Sequence, residues 1–377
     1  MAKKKNKPGL LTESKLAKKY PTGGLASGIK IKNKGGIRIP TRLIRLNHQL
    51  NGGLLYGKIM ELFGPESSGK TLLAIDFAYC CQQLGGQVCW ADAENAYDPA
   101  WMEKNGIDLD QLWLLEDQIA VEVISDWILD TGRLIRSRLV KNEPILFVLD
   151  SLAALTTIDL EGQSQMDKRE EMGKRAKKIG DFLRERGMEF KKLGISVILI
   201  NQLRKKVGAS KYEDPDTTPG GQATRFYAAQ RISVWGSKAI KIKKKGEQIP
   251  IGKNVYISTK KDKTGPPRPR TETNVIFNDE YGHTVGFSRY AGLPELLVNL
   301  GVVSRDKGSS RYKYNGQTIA TKEEKFLELL IENDDLRKEL IKKSKVNTIG
   351  RTQRKLDELT RNLYPVRVKE AKEESEE

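Results

Sequence analysis

The chain has 377 residues, of which 38% are hydrophobic and 31% are charged. This length and composition predict one large domain with a buried core and a smaller one, and they exclude disorder throughout the chain. Lysine and arginine outnumber the acids by 66 to 49, and this net charge of +17 favours polyanionic partners such as nucleic acid. A solvated basic surface would carry the same charge, so charge alone does not identify the partner.

The three cysteines, Cys80, Cys81 and Cys89, do not have the spacing of a zinc site, and only two histidines accompany them. We therefore expect reduced core cysteines and no metal or redox centre built on them. No apolar run reaches the length of a membrane span, and no signal-peptide stretch follows the basic start at Met1–Lys7. We expect a cytoplasmic protein that does not bind membranes.

Residues 1–45 are predicted to form a basic N-terminal arm. Within residues 1–34, ten lysines stand against one acid, Glu13, and a short helix is expected near Leu11–Tyr20. Such an arm suits binding to a partner, and a tail that only keeps the chain in solution would look the same.

Strand and helix patterns alternate from Lys58 onward. The predicted segments are strand Lys58–Phe63, helix Lys70–Leu84, strand Gln87–Ala91, a helix through Val121, Ile124 and Ile128 to Arg138, and strands Ile145–Asp150 and Ile195–Asn201. Continuous apolar runs are typical of strands buried on both faces, so we predict an α/β fold with a mostly parallel sheet between helices. Lys253–Lys260 and Thr273–Asn278 are predicted as later, antiparallel strands.

The predicted core, residues 46–286, is followed by a small α/β domain over residues 287–345. An apolar helix at Leu293–Leu300, a turn-rich stretch at Asp306–Gly316 and a charged helical region from Glu323 are its expected parts. Residues 346–377 are predicted to form a charged helix and an acidic tail, because five of the last eight residues are glutamates.

A phosphate-binding loop follows the first predicted strand and opens the first helix. The segment GPESSGKT fits the pattern G-x-x-x-x-G-K-[ST], in which glycines let backbone N–H groups surround phosphate oxygens at a helix N-terminus. Lys70 would hold the β- and γ-phosphates of ATP, and the Thr71 hydroxyl would bind Mg²⁺. The predicted nucleotide-binding residues of this loop are Gly64, Pro65, Glu66, Ser67, Ser68, Gly69, Lys70 and Thr71.

Polar residues at the ends of the other buried strands predict the rest of an ATPase site. Asp150 ends the strand ILFVLD, where its carboxylate can hold Mg²⁺ through water. Hydrolysis also needs a group that orients or deprotonates water, and the carboxyl ends of parallel strands meet at one rim. Asp92, Glu94 and Gln202 are candidates there, and spacing does not choose between Asp92 and Glu94.

Several ordered motifs resemble the bacterial RecA recombinases. The phosphate loop GPESSGKT, DSLAAL at 150–155, DAE at 92–94, INQLR at 200–204, and the glycines at 220 and 221 followed by Ala223 and FYA at 226–228 are similar to that family's motifs. The likeness runs from Thr41 to Tyr281 and continues more weakly to YKYNGQTIA at 312–320. The resemblance implies a RecA-type P-loop NTPase core with a small C-terminal domain and a basic N-terminal arm.

The resemblance also implies roles for single residues. Glu94 would activate water, Gln202 would sense the γ-phosphate, and Lys261 and Lys263 would reach ATP bound to the neighbouring subunit. The implied catalytic residues are thus Glu94, Lys70, Gln202, Lys261 and Lys263, and Mg²⁺ would lie at Thr71 and Asp150. Further nucleotide contacts are expected from Asp98, Trp101 and Tyr281.

Two segments would hold DNA along a filament axis, roughly Glu161–Arg175 and Leu203–Pro219. Both are polar and contain lysine and arginine, so binding should be salt-dependent and largely independent of sequence. The expected DNA contacts are Arg175, Arg204, Lys206, Val207 and Arg225.

Three departures indicate a divergent member, which a phage could encode. The first DNA segment is longer than usual and more charged, and Asn95 replaces a common histidine. The arm at residues 1–45 shows little likeness, although the resemblance implies that it docks onto the next subunit.

The leading hypothesis is a DNA-dependent ATPase that filaments on single-stranded DNA and exchanges strands with homologous duplex DNA in recombination and repair. Copies of the chain itself and loader or mediator proteins are the other expected partners. A hexameric helicase with the same core and a DNA-coating scaffold that activates other proteins are the alternatives.

Overall fold

The computed structural model describes residues 38–116, 120–139, 143–158, 168–205, 216–219, 221–244, 246–266, 268–278, 285–306 and 308–344, with the backbone alone given at 168–172, 204–205, 216–217 and 221. No helix in these ranges is both long and apolar enough to span a membrane.

The first described residues, from Arg38 onward, are packed in the hydrophobic core. Strand β1 (Arg38–Ile39) pairs antiparallel with β2 (Leu54–Leu55), and helix α1 (Ile44–Gln49) lies between them in sequence. The side chains of Ile39 and Leu43 are 0% and 2% exposed. These residues, which fall within the predicted arm, are therefore part of a hydrophobic core, while the expected helix near residues 11–20 lies outside the described residues.

Nine strands form one central sheet. In spatial order they are β13 (Gly286–Phe287), β12 (Thr271–Ile276), β11 (Glu247–Asp262), β10 (Gln230–Lys244), β3 (Ile59–Gly64), β7 (Ile195–Gln202), β6 (Ile145–Asp150), β4 (Gln87–Asp92) and β5 (Leu112–Glu116). The five pairs from β10 to β5 are parallel, and the three pairs from β13 to β10 are antiparallel. The prediction of a mostly parallel sheet with later antiparallel strands is confirmed.

Helices cover both faces of this sheet. They are α2 (Lys70–Gln83), α3 (Pro99–Lys104), α4 (Val121–Arg138), α5 (Lys168–Leu193) and α6 (Gly221–Tyr227). Side chains of one strand alternate between two clusters: Leu146 and Val148 pack on the α2 side, whereas Ile145, Phe147 and Leu149 pack on the side of α4 and α5. This two-sided burial is the reason why the strand sequence is continuously apolar.

Cys80, Cys81 and Cys89 are buried, free thiols, as predicted. Burial raises the pKa of each thiol above its ordinary value. The thiolate is the reactive form, so these cysteines are unreactive core residues.

A third hydrophobic cluster lies mostly in the C-terminal part of the described chain, and Ile44 of α1 also belongs to it. It contains α7 (Leu293–Asn299), a hairpin of β14 (Tyr312–Tyr314) and β15 (Gln317–Ala320), α8 (Glu323–Glu332) and α9 (Asp334–Ser344). The hairpin begins within the predicted turn-rich stretch, which is therefore partly strand. The four-part domain division stays a prediction, since residues 1–37 and 345–377 lie outside the described ranges.

Phe326→Ala should destabilise this C-terminal cluster. The ring of Phe326 is 0% exposed and its centroid lies 4.9 Å from that of Tyr312, so truncation leaves a cavity that costs about 3–5 kcal/mol of unfolding free energy. Ile331→Ala on the same helix is the control, because Ile331 is 49% exposed and should change stability by less than about 0.5 kcal/mol. Urea unfolding of the two variants measures this, and equal losses would contradict the assignment of the cluster.

Candidate active site

The phosphate loop follows β3 and leads directly into α2, as predicted. Its backbone takes the left-handed conformation at Ser67 (φ 53°) and at Gly69 (φ 98°). A side chain at Gly64 would place its Cβ 2.0 Å from the carbonyl oxygen of Val234 in β10, so that position requires glycine. No side chain of the described residues caps the first turn of α2, which leaves its N–H groups available to an anion.

The Lys70 ammonium lies inside this loop. Its Nζ donates to the carbonyl oxygens of Gly64 at 3.2 Å and Pro65 at 2.6 Å. Burial lowers the pKa of Lys70, and the nearby carboxylates of Asp150 and Glu94 oppose that shift. A bound phosphate would be a stronger acceptor than these neutral carbonyls, so the ammonium is placed to transfer its hydrogen bonds to a nucleotide.

Thr71 and Asp150 form the candidate magnesium site. The Thr71 hydroxyl donates to Asp150 Oδ2 at 2.9 Å. Burial raises the pKa of Asp150 to about 7, the Thr71 hydrogen bond opposes this shift, and the charges of Glu94 and Asp92 add to it. A buried carboxylate of this kind favours a nearby cation. No cluster of three or more His, Cys, Asp or Glu side chains that could hold a metal occurs in the described ranges. At this predicted site, Mg²⁺ would be held by Thr71 and Asp150 together with phosphates and water.

The geometry separates the two candidates for water activation. Asp92 is 2% exposed and its Oδ2 accepts the backbone N–H of Tyr97 at 2.7 Å, so it holds a turn together. Glu94 lies exposed at the rim, where its Oε1 accepts hydrogen bonds from Gln202 Nε2 at 2.9 Å and from the Ser151 hydroxyl. Glu94 and Gln202 are therefore in direct contact beside the phosphate loop.

Two of the further predicted nucleotide contacts, Asp98 and Trp101, lie at the start of helix α3. Asp98 caps this helix, since its Oδ1 accepts the N–H of Trp101 at 3.1 Å. The Trp101 ring is half-buried and packs against the hydrophobic cluster on the α2 side. Contact of these two residues with a nucleotide stays a prediction, and Tyr281 lies outside the described residues.

Lys261 and Lys263 lie at the end of the sheet opposite to the rim that carries the phosphate loop. The Lys263 N–H donates to the carbonyl of Ala229, whose own N–H donates to Ile59, the first residue of β3. Gly64 lies at the other end of β3, and at roughly 3.3 Å per residue the two ends are about 16 Å apart. This distance is more than a lysine side chain spans, so neither ammonium reaches the phosphate loop of its own chain in this arrangement.

Both lysines rest on the end of α6. Lys261 Nζ donates to the carbonyl oxygens of Phe226, at 3.0 Å, and Arg225. The Lys263 ammonium is 5.6 Å from the centroid of the Phe226 ring, which is 67% exposed. Burial and the charge of Lys263 lower the pKa of Lys261.

The predicted DNA-binding residues are described unevenly. Arg175 belongs to α5, so the first predicted DNA segment is helical from Lys168, and Arg175 Nη1 donates to the carbonyl oxygens of Ala153 at 3.2 Å and Leu155 at 3.4 Å. The Arg225 side chain is exposed. Only the backbone of Arg204 is described. The other two predicted DNA contacts, Lys206 and Val207, lie outside the described ranges.

The ends of the second predicted DNA segment meet beside Gln202. Short strands β8 (Arg204–Lys205) and β9 (Asp216–Thr217) pair antiparallel. Asn201 Nδ2 donates to the carbonyl of Pro219 at 2.9 Å and to the buried Glu61 carboxylate at 3.0 Å. The base of this segment is therefore hydrogen-bonded to the strand that carries Gln202.

Comparison with known proteins agrees with this geometry. The family model for the RecA N-terminal domain matches residues 15–282. The chain belongs to the RecA family. It is 33% identical to Protein RecA of Bacteroides thetaiotaomicron over 305 residues, which are 80% of this chain and 85% of the relative. It is also 33% identical to Protein RecA of a Caulobacter species (strain K31) over 87% of each chain, and 32% identical to Protein RecA of a Synechocystis species over 89% and 86%.

The RecA resemblance and fold class predicted from the motifs are thus confirmed, and this family favours the recombinase hypothesis over the helicase and scaffold alternatives. The roles of individual residues in this RecA-family chain stay predictions. Two polar residues near the site were missed in the sequence: Ser151, which contacts Glu94, and Lys253, whose ammonium donates to the Ser67 carbonyl. Ser151 directly follows Asp150 in the DSLAAL motif, which could have indicated it, whereas no sequence signal indicates Lys253.

Asp150→Asn is expected to stabilise the nucleotide-free protein at pH 8. Because the pKa of Asp150 is raised to about 7, the ionised carboxylate carries a folding penalty that grows from about pH 4 and is complete above pH 7. Asparagine stays neutral and can still accept from Thr71. At about 1.4 kcal/mol per pKa unit, the gain should be on the order of 2–4 kcal/mol at pH 8 and clearly smaller at pH 5.

Urea unfolding at both pH values measures this difference, with the exposed Asp110→Asn as the control. A gain of equal size at pH 5 and pH 8, or a loss at pH 8, would contradict the assigned environment of Asp150.

Proposed function

We propose that this RecA-family chain is a DNA-dependent ATPase that assembles on single-stranded DNA and catalyses homologous pairing and strand exchange in the cytoplasm. The observation that carries the proposal is the hydrogen bond from Gln202 to Glu94 at the base of the second predicted DNA segment. It joins a candidate catalytic carboxylate directly to the part of the chain expected to hold DNA. The net charge of +17 and the names of the relatives, Protein RecA, also support it.

The rim residues divide the chemistry of ATP hydrolysis among them. The N–H groups of the loop and Lys70 would bind the phosphates, and Mg²⁺ at Thr71 and Asp150 would neutralise their charge. Glu94 would accept the proton of the attacking water, since its carboxylate is exposed at the rim. Gln202 would orient the same carboxylate or contact the γ-phosphate, so ATP and DNA would bias one shared hydrogen bond.

Lys261 and Lys263, at the end of the sheet opposite the phosphate loop, would complete the ATP site of another copy of the chain. Cationic groups that stabilise developing charge on the γ-phosphate accelerate phosphoryl transfer strongly when a neighbour supplies them. Lys261 and Lys263 stand far from their own loop but lie at a surface next to the exposed Phe226. Hydrolysis would then require assembly, and a filament on DNA is the assembly that the proposal names.

DNA would bind through phosphate contacts. Arg225, the basic residues of Leu203–Pro219, and the residues near Arg175 would neutralise the backbone of a single strand and then of a homologous duplex. Loader or mediator proteins would act on the same filament.

Glu94→Gln tests the catalytic core of the proposal. Glutamine keeps the size of the side chain but cannot accept the proton, so DNA-stimulated ATP hydrolysis should fall by roughly 100-fold or more, within the range for general bases. ATP-dependent, salt-sensitive binding to single-stranded DNA should remain, because the phosphate loop is unchanged. Steady-state ATPase assays and fluorescence anisotropy of a labelled oligonucleotide measure the two properties.

Glu116→Gln is the matched control, because Glu116 is an exposed carboxylate at the same rim, in register with Asp92. Normal hydrolysis by Glu94→Gln, or wild-type hydrolysis that is indifferent to single-stranded DNA, would contradict the proposal.

A further inference from the structure

Lys253, in the antiparallel part of the sheet, contacts the outside of the phosphate loop. Lys253 lies in β11 and is paired with Ala239 of β10 and Val275 of β12. Its Nζ donates to the carbonyl oxygen of Ser67, which is residue four of the loop GPESSGKT. The side chain thus crosses from the antiparallel strands to the loop that is proposed to bind nucleotide.

The neighbouring strand leaves room for this crossing. Gly236 of β10 has no side chain, and a Cβ there would lie 3.5 Å from Lys253 Cδ and 3.8 Å from Ser68 Cα. A larger residue at position 236 would stand between the lysine stem and the loop. Gly236 and the long side chain of Lys253 therefore pack together on the outside of the loop.

The charge of Lys253 is not neutralised within the described part of the chain. None of the ion pairs found there includes Lys253, and its hydrogen-bond acceptor is a neutral carbonyl. The same ammonium is one of the charges that lower the pKa of Lys70, although burial is the larger cause. Two cations are therefore close enough to repel each other at one loop, an arrangement that an anion bound between them would stabilise.

We propose that Lys253 is a second lysine of the nucleotide site from the same subunit, and that it holds the phosphates of a bound nucleoside di- or triphosphate. The inference rests on the proposed binding of nucleotide at this loop. Lys70 binds phosphate from inside the loop, whereas Lys253 adds positive charge from outside and can exchange the Ser67 carbonyl for a phosphate oxygen. Lys261 lies near the C-terminal end of β11 and Lys263 directly follows that strand, and neither shares this role.

The test compares the binding of ADP with Mg²⁺ to four chains in the absence of DNA. Lys253→Gln removes the charge but keeps a donor for the Ser67 carbonyl, and Lys253→Arg keeps the charge. Lys241→Gln removes an exposed lysine of the same hairpin, whose Nζ is 3.5 Å from Gln248. Isothermal titration calorimetry at low and high salt gives the dissociation constants.

We expect Lys253→Gln to weaken ADP binding by about two- to fivefold at low salt, the range of a partly exposed charge interaction. The loss should shrink at high salt, and Lys253→Arg and Lys241→Gln should bind as the wild type does. Thermal unfolding without nucleotide checks that each variant is folded, and Lys253→Met replaces Lys253→Gln if the latter is not.

If the wild-type chain does not bind ADP, the proposed function fails before Lys253 is tested. If the wild type binds and Lys253→Gln binds equally well, the inference about Lys253 is wrong. Equal weakening by Lys253→Gln and Lys253→Arg would also overturn it, because the position would then matter for packing rather than for charge.

Discussion

The parallel register of four central strands determines where the phosphate loop, the candidate magnesium residues and the Glu94–Gln202 pair lie. Gly64 at the end of β3 is in register with Gln202 at the end of β7, and Asp92 at the end of β4 is in register with Asp150 at the end of β6. The phosphate loop, the magnesium carboxylate and the Glu94–Gln202 contact consequently share one rim. The apolar interiors of these strands, packed on both faces, hold that register, so the core stabilises the site as well as the fold.

Lysines in β11 and directly after it place positive charge at the phosphate-loop rim and at the opposite end of the sheet. Lys253 touches the phosphate loop of its own chain, whereas Lys261, near the C-terminal end of β11, and Lys263, just beyond it, contact the end of α6, about the length of β3 from that loop. A single chain therefore contains the parts of an ATPase site but does not bring them all together. A second copy supplies the missing cations in the proposed assembly. Under this proposal, hydrolysis would depend on assembly of the filament, and DNA could thereby control its rate.

The sequence predicted the parallel core and the loop well because both depend on local patterns. Apolar runs such as Ile145–Asp150 and the residue spacing of GPESSGKT can be recognised from the local sequence alone. It did not predict β10, because the half beyond Trp235 is exposed and lysine-rich and forms a strand only through its long-range pairing with β11. The placement of Lys253 against Ser67 depends on the same pairing. Hydrogen bonds also distinguish residues that a motif leaves equivalent: Asp92 accepts from the N–H of Tyr97, whereas Glu94 is exposed at the rim, and this difference supports Glu94 as the proposed base.

The most direct measurement of shared active sites is ATP hydrolysis by a mixture of two inactive chains on single-stranded DNA. One chain carries Glu94→Gln and keeps both lysines, and the other carries Lys261→Ala with Lys263→Ala and keeps Glu94. If lysines of one copy act on the nucleotide of the next, mixed filaments contain some complete sites, and hydrolysis should recover to about a quarter of the wild-type rate at equal mixing if the copies assemble at random. If the mixture is as inactive as each variant alone while both still bind DNA, the lysines act within their own chain or not at all, and the assembly-dependent mechanism is wrong.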